Sequence, residues 1–253
     1  MCGIVGITGT RPASPILIEA LRRLEYRGYD SAGIATIVNE SIERRRSEGK
    51  IRDLDALLQR QPMTGTTGIG HTRWATHGIP SEANAHPHSD GRVAVVHNGI
   101  IENFQTLRAE LETGGIVFTS ETDTEVISNL IGYFYNHENC DGKQPANGQN
   151  KFEWAVQRTL RELHGTFGLA IICSDYPNML IGARKGSPLI LGVGDNEYIL
   201  ASDAAAIVEH TTSAIYLSDN EMVTVNSDGF RTTTINNIAV SKDLEQIERR
   251  TQM

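Results

Sequence analysis

No stretch of the 253-residue sequence approaches the roughly 18 consecutive apolar residues of a membrane-crossing helix, so no membrane span is expected. No basic segment leads into an apolar run at the N-terminus, so no secretory signal is expected either, and the expected location is the cytoplasm. Positive charge is in short supply. The 23 Lys and Arg against 31 Asp and Glu leave a formal net charge of −8, which excludes a broad basic face and makes a nucleic acid an unexpected partner. Cysteine is scarce: Cys2, Cys140 and Cys173 are odd in number and widely spaced, with neither a CxxC pair nor the density of a disulfide framework. They read as free thiols. Neither HExxH nor a GxGxxG after a strand occurs, which removes two common metal and dinucleotide signatures.

What is present suits a folded core, with 39% hydrophobic and 21% charged residues. Ser14-Pro15 reads as a helix start, with Ile16, Leu17, Ala20, Leu21 and Leu24 at helical spacing up to Gly28. Residues 31–46 read as a hairpin turning at Asn39-Glu40, its arginine run Arg44–Arg46 a solvated strand end. A short helix through Leu54, Leu57 and Leu58 follows, then a glycine-rich approach at 64–73 and a buried strand over 92–99 that ends in a turn. A helix from Asn103, a short strand at Ile116–Phe118 and a helix opened by a capping box at Ser120–Asp123 come next. Residues 139–150 read as a surface loop, 151–163 as a helix, and the rest as closely spaced strands up to about Ile238. This pattern predicts an α+β chain of antiparallel sheets packed on one another and covered by helices, with 1–238 as one domain and 239–253 as a polar tail or the start of a linker.

Four places could carry chemistry. Cys2 follows the initiator methionine, so removal of Met1 would put a thiol and a free α-amine on one residue. Their reference pKa values, about 8.5 and about 7.7–8.0, lie close enough for one to serve as base for the other. The plainer reading is a small residue opening the apolar strand from Cys2 to Ile7. GHTRWATHG at 70–78 offers Arg73, whose planar fork suits a carboxylate, beside Trp74. A surface ion pair is the alternative. Asn98 and Gly99 follow a buried strand, and a side-chain amide beside a glycine N–H suits a tetrahedral oxyanion, although Asn-Gly is also the commonest hairpin turn. Asp123 could accept an ammonium or simply open a helix. His71, His77, His86, His88 and His97 crowd together without metal-ligand spacing, so no metal is expected and core or loop hydrogen bonding is. A ligand with an α-carboxylate, an α-ammonium and a side-chain acyl group satisfies the set, and L-glutamine is such a ligand.

CGIVGI at 2–7, RRLEYRGYDSAGIA at 22–35, GHTRWATHGIPSEANAHPH at 70–88, VVHNGIIEN at 95–103 and SETDTEVI at 120–127 resemble one family. It is the class II glutamine amidotransferases, and within them the glutaminase domain of the glucosamine-6-phosphate synthases. The resemblance implies a four-layer αββα sandwich of two antiparallel sheets between helix layers, the N-terminal-nucleophile hydrolase fold. It implies Cys2 as nucleophile through its own α-amine, Asn98 and Gly99 as oxyanion hole, and Arg73 and Asp123 as holders of glutamine's α-groups. Residues 73–80, with Thr76 and His77, would close over glutamine; Trp74 would sit where ammonia leaves, and Arg27 at the mouth. Neither cofactor nor metal is implied. An isomerase domain or subunit binding fructose 6-phosphate is the implied partner. Two other roles fit the same residues: a glutaminase serving another acceptor, or a glutamine-binding module in which Met1 is retained.

Overall fold

A computed structural model describes residues 2–75, 78–137, 145 and 148–247. The expected loop at 139–150 falls mostly outside the described residues, as do Met1, Thr76, His77 and Cys140.

The chain order begins β1 (Gly3–Thr8), α1 (Ala13–Arg22), β2 (Ser31–Val38), β3 (Ser41–Glu48), α2 (Ile51–Arg60) and β4 (Thr67–Arg73). It continues with β5 (His88–Ser89), β6 (Val93–Ile101), α3 (Phe104–Thr113), α4 (Asp123–Asn136) and α5 (Lys151–Glu162). The strands β7 (Gly165–Cys173), β8 (Leu180–Lys185), β9 (Ile190–Val193), β10 (Tyr198–Ala201), β11 (Ser213–Tyr216), β12 (Glu221–Asn226) and β13 (Gly229–Thr234) follow. Two short strands, β14 (Ala239–Val240) and β15 (Glu245–Gln246), end the described chain. The strands form an eight-stranded sheet ordered β15-β11-β9-β10-β1-β4-β2-β3 and a seven-stranded sheet ordered β14-β13-β12-β8-β7-β6-β5. The named ladders in both are antiparallel.

Three apolar layers hold this stack together. Helices α1 and α2 bury Leu17, Leu21, Ile51 and Leu54 against Val5, Ile7 and Ile34 of the first sheet. On the other side, α3, α4 and α5 bury Leu111, Ile127, Ile131 and Phe152 against Val95, Leu169 and Ile171 of the second. Between the sheets lie Ile4, Ala35, Ile69, Ala94, Val96, Ala170, Ile172 and Leu180. Because strand side chains alternate in direction, one β-strand serves two layers: Ile4 faces the opposite sheet and Val5 the helices. The result is the expected four-layer αββα sandwich.

Several local expectations are corrected. Ser14 does not cap α1: the helix begins at Ala13, and the Ser14 hydroxyl donates to the Met63 carbonyl at 3.0 Å. Residues 98 and 99 do not turn, because β6 runs on to Ile101 with Asn98 opposite Gly168 and Gly99 opposite Phe167. Ile116–Phe118 form no strand, and Val117 is exposed. Thr122, not Ser120, caps α4, and the Glu125 carboxylate instead accepts from the Ser120 and Thr119 backbone N–H groups at 2.6 and 2.8 Å. Arg44 and Arg46 are half-buried and no solvated strand end. Arg44 donates to the Pro87 carbonyl and Arg46 to those of Ala83 and Ala85, pinning the 83–87 segment to β3. Residues 239–247, within the stretch expected to be a polar tail or the start of a linker, pair β14 with β13 and β15 with β11, and Ile247 is buried. The Asn39-Glu40 turn does join β2 to β3, with φ of 49° and 59° and Val38 opposite Ser41.

Candidate active site

The inward-facing positions along the lines of β1, β4 and β6 become polar at one end of the sandwich. Continuing the alternation of Gly6 and Ile4 brings Cys2 to the same face, just ahead of β1. On β4 the series Ile69, His71, Arg73 does the same, and on β6 the series Ala94, Val96, Asn98. Antiparallel pairing places Gly3 opposite Thr72 and Ile4 opposite His71, so Cys2 arrives beside the end of β4. A cleft of about 390 Å3 opens there, lined among others by Cys2, Arg27, Arg73, Trp74, Asn98 and Asp123. Gly99 also lines it. Thr76 and His77 lie outside the described residues.

Backbone contacts fix the Cys2 thiol. The Trp74 N–H donates to Cys2 Sγ at 3.1 Å, and the Cys2 carbonyl accepts from Asn98 Nδ2 at 3.1 Å and from an Arg27 nitrogen at 3.3 Å. Burial pushes the thiol above its ordinary value, while the Trp74 N–H and the charge of Arg73 act the other way. Arg27 is held by Asp203 at 2.7 Å and by the Ser202 hydroxyl at 3.3 Å. Ser202 Oγ also accepts the Ile4 N–H at 3.0 Å, so β10 and the segment after it brace the start of β1.

Arg73 ends β4 almost fully buried, its guanidinium donating to the carbonyls of Gly78 at 3.2 Å and Ile79 at 3.4 Å. Burial lowers its pKa, opposed by Asp30 and then by Cys2 and Asp123. Asp30 orders the same turn, receiving the Ala75 N–H at 2.6 Å and donating its own N–H to the Arg73 carbonyl at 2.8 Å. The Trp74 ring is 55% exposed and lies over Gly28, where a Cβ would come within 2.8 Å of it and where φ is +74°. Glycine at 28 therefore admits the ring.

Asn98 lies between Cys2 and the core. Its Oδ1 meets His71 Nε2 at 2.9 Å while Nδ2 faces the Cys2 carbonyl. Gly99 has φ +133°, and a Cβ there would come within 2.2 Å of the Thr166 carbonyl, so this strand position requires close backbone approach. Asp123 is the first residue of α4, only 4% exposed; its Oδ2 accepts the Ile101 N–H at 2.9 Å and lies 3.8 Å from His97 Nδ1. Asp123 thus opens the helix, as one sequence reading has it, and also lines the cleft.

The histidine cluster serves hydrogen bonding. His88 Nε2 meets Thr122 Oγ1 at 3.0 Å, His97 Nδ1 meets Thr124 Oγ1 at 3.1 Å, and the His71 and His86 rings stack with centroids 4.2 Å apart. Burial pushes His71 down to about 3 and holds His86 and His88 well below the ordinary value. Among the described residues no three His, Cys, Asp or Glu side chains gather as a metal site. Likewise, no described helix is long and apolar enough to cross a membrane.

The sequence shows His71 only as one of a crowd of histidines and gives Asp30, Thr166 and Ser202 little prominence. The signals were an aspartate directly ahead of a buried strand and the SDAAAI segment after β10. Thr166, on β7, offers no sequence signal, because its place beside Gly99 depends on the β6–β7 register.

The model of the glutamine amidotransferase domain family matches residues 71–209. The chain is 48% identical over 237 residues to the isomerizing glutamine–fructose-6-phosphate aminotransferase of Mycobacterium tuberculosis, covering 91% of this chain and 36% of that protein. With the enzyme of the same name from Zymomonas mobilis it shares 51% identity over 229 residues, covering 90% and 36%. The chain thus spans 36% of the length of these curated relatives. Among solved structures it is similar to the glutamine phosphoribosylpyrophosphate amidotransferase of B. subtilis, with 26% identity, a TM-score of 0.76, and coverage of 92% of this chain and 49% of that one. The four-layer sandwich is therefore that of the N-terminal-nucleophile amidotransferases, and the chain belongs to the glutamine amidotransferase domain family.

Proposed function

We propose that this chain hydrolyses L-glutamine to L-glutamate and ammonia through a γ-glutamyl thioester on Cys2. The observation that carries the reading is the convergence of Cys2, Arg73, Asn98, Gly99 and Asp123 on one cleft. Arg73 receives the α-carboxylate and Asp123 the α-ammonium, so the side-chain amide is directed toward the thiol. A volume of about 390 Å3 suits a ligand of this size. The thiol, pushed up by burial, needs a base, and the α-amine of Cys2 supplies one once Met1 is gone. Sγ attacks the amide carbon as the amine takes its proton. An amide Nδ2 carries two hydrogens. One is used on the Cys2 carbonyl, leaving Asn98 the other for the developing oxyanion beside the Gly99 N–H. Collapse of the tetrahedral species breaks the C–N bond, and the ammonium returns a proton to the departing ammonia. Water then attacks the thioester, releasing glutamate and restoring the thiol.

The names of the relatives support fructose 6-phosphate as the eventual acceptor, handled by an isomerase domain or subunit. In that arrangement Trp74 sits where ammonia leaves and Arg27 near the mouth of the cleft. No cofactor takes part.

The test compares glutamate release by chain whose intact mass shows Met1 absent, by chain with Met1 kept through a blocked cleavage site, and by Cys2→Ala. The expected result is release only from the first. Undiminished release from folded Cys2→Ala overturns the reading.

A further inference from the structure

We propose that His71 is a positioning residue for glutamine hydrolysis, holding the Asn98 side-chain amide in the one orientation that presents its N–H to the oxyanion. The inference rests on the glutaminase reading above. It concerns a residue that lies behind the cleft and is not itself part of its lining.

An asparagine amide is nearly symmetric in shape and has two orientations related by a half-turn. At Asn98 one orientation presents a donor toward Cys2 and the other a lone pair, which would repel a developing oxyanion. Two partners choose between them. The Cys2 carbonyl is an acceptor only, so the amide group facing it at 3.1 Å is Nδ2. That leaves Oδ1 facing His71 Nε2 at 2.9 Å, and the bond requires a proton on Nε2. The Cys2 carbonyl lies at the cleft, just ahead of β1. His71 belongs to the core.

Its position is over-determined. His71 lies within β4, flanked by Ile4 of β1 and Gly33 of β2, is fully buried, and stacks on His86 at 4.2 Å with an interplanar angle of 29°. The 83–87 segment that carries His86 is pinned by Arg44 and Arg46. Asn98 and His71 thus link the two sheets, and the arginines of β3 support the stack from behind. With burial holding its pKa near 3, His71 remains neutral and keeps a donor for Asn98 across the range in which the enzyme works. A cationic ring there would also repel Arg73.

The experiment is a double-mutant cycle in steady-state glutamine hydrolysis, on chain with Met1 removed, with His71→Leu, Asn98→Ala and both. His71→Leu is expected to lower kcat by roughly 30-fold to several hundredfold, approaching the 10²–10³ of a lost oxyanion donor. KM should stay within about twofold, since the α-group contacts are untouched. In the Asn98→Ala background the same change should cost less than about threefold. His71→Gln, whose amide reaches the place of Nε2 and donates from there, should recover activity to within about tenfold of the starting enzyme. If His71→Leu does not fold, His71→Asn, too short to reach Asn98, takes its place in the cycle. Equal losses in both backgrounds, or a rise in KM with kcat unchanged, overturn the proposal. A starting chain that releases no glutamate overturns the glutaminase reading itself, a result separate from either.

Discussion

The space between the two sheets has a dry end and a wet end, built by the same strands on the same pleat. At the dry end Ile69, Ala94, Val96, Ala170, Ile172 and Leu180 interlock, all fully buried. At the wet end, one or two steps further along β1, β4 and β6, stand Cys2, His71, Arg73 and Asn98. A sandwich core needs only apolar bulk at these positions, so the polar substitutions at one end are a loss of cohesion there. Hydrogen bonds offset part of that loss: Asn98 has His71 and Cys2, and Asp123 has Ile101, while Nδ1 of His71 and of His86 are buried without a hydrogen-bond partner. The dry end holds the sheets in register, and that register brings Cys2 beside Asn98 and Gly99 at the wet end.

The two ends should therefore respond differently to truncation. Ile69→Ala at the dry end should cost roughly 2–5 kcal/mol of stability, seen in denaturant unfolding, while the folded fraction keeps kcat and KM within a few-fold. Asn98→Ala at the wet end should do the reverse, lowering kcat by about 10²–10³, or roughly 2.7–4 kcal/mol of barrier, with KM little changed. Arg73→Lys keeps the charge and loses the fork. The loss of one charge-assisted hydrogen bond, about 1.5–3 kcal/mol, should raise KM roughly tenfold to a hundredfold with a smaller effect on kcat. If Ile69→Ala impaired kcat more than stability, the division between ends would fail.

The two described cysteines extend the contrast. Cys173, in the layer between the second sheet and its helices, is fully buried, and desolvation pushes its thiol up to about 12. Between an ordinary value near 9 and about 12, the folded chain keeps this proton while the unfolded chain has lost it. The folded state binds more protons there, so stability falls as pH rises, by at most about 1.4 kcal/mol per pH unit from this group. Cys173→Ala should flatten the alkaline loss of stability measured by denaturant titration between pH 8 and 11, and glutaminase activity at pH 7.5 should be unaffected.

The layers were legible in the sequence because strand alternation and helix spacing are local. Val5 and Ile7 against Ile4, and Ile127 and Ile131 on one face of α4, are visible in a few residues. The Asn39-Glu40 hairpin was legible for the same reason. The candidate site was legible by chemical type, in that Cys2, Arg73, Asn98 and Asp123 are the groups that glutamine's functional groups call for. What could not be read was anything set by pairing over distance. Asn98-Gly99 looks like a turn until β7 is known to run beside it with the Thr166 carbonyl close against Gly99. Arg44 and Arg46 look solvated until the 83–87 segment is known to fold back over β3. The tail after Ile238 looks too polar for structure, yet sheet edges accept polar strands because one side of each faces water.

The central claim is a covalent one, that glutamine's acyl group passes through Cys2. Peptide mass mapping of chain quenched in acid during turnover, run beside folded Cys2→Ala, tests it most directly. The expected result is a γ-glutamyl group on the peptide that begins at Cys2, with no adduct and no glutamate release in Cys2→Ala. The same group on another residue, or continued release from Cys2→Ala, would contradict it.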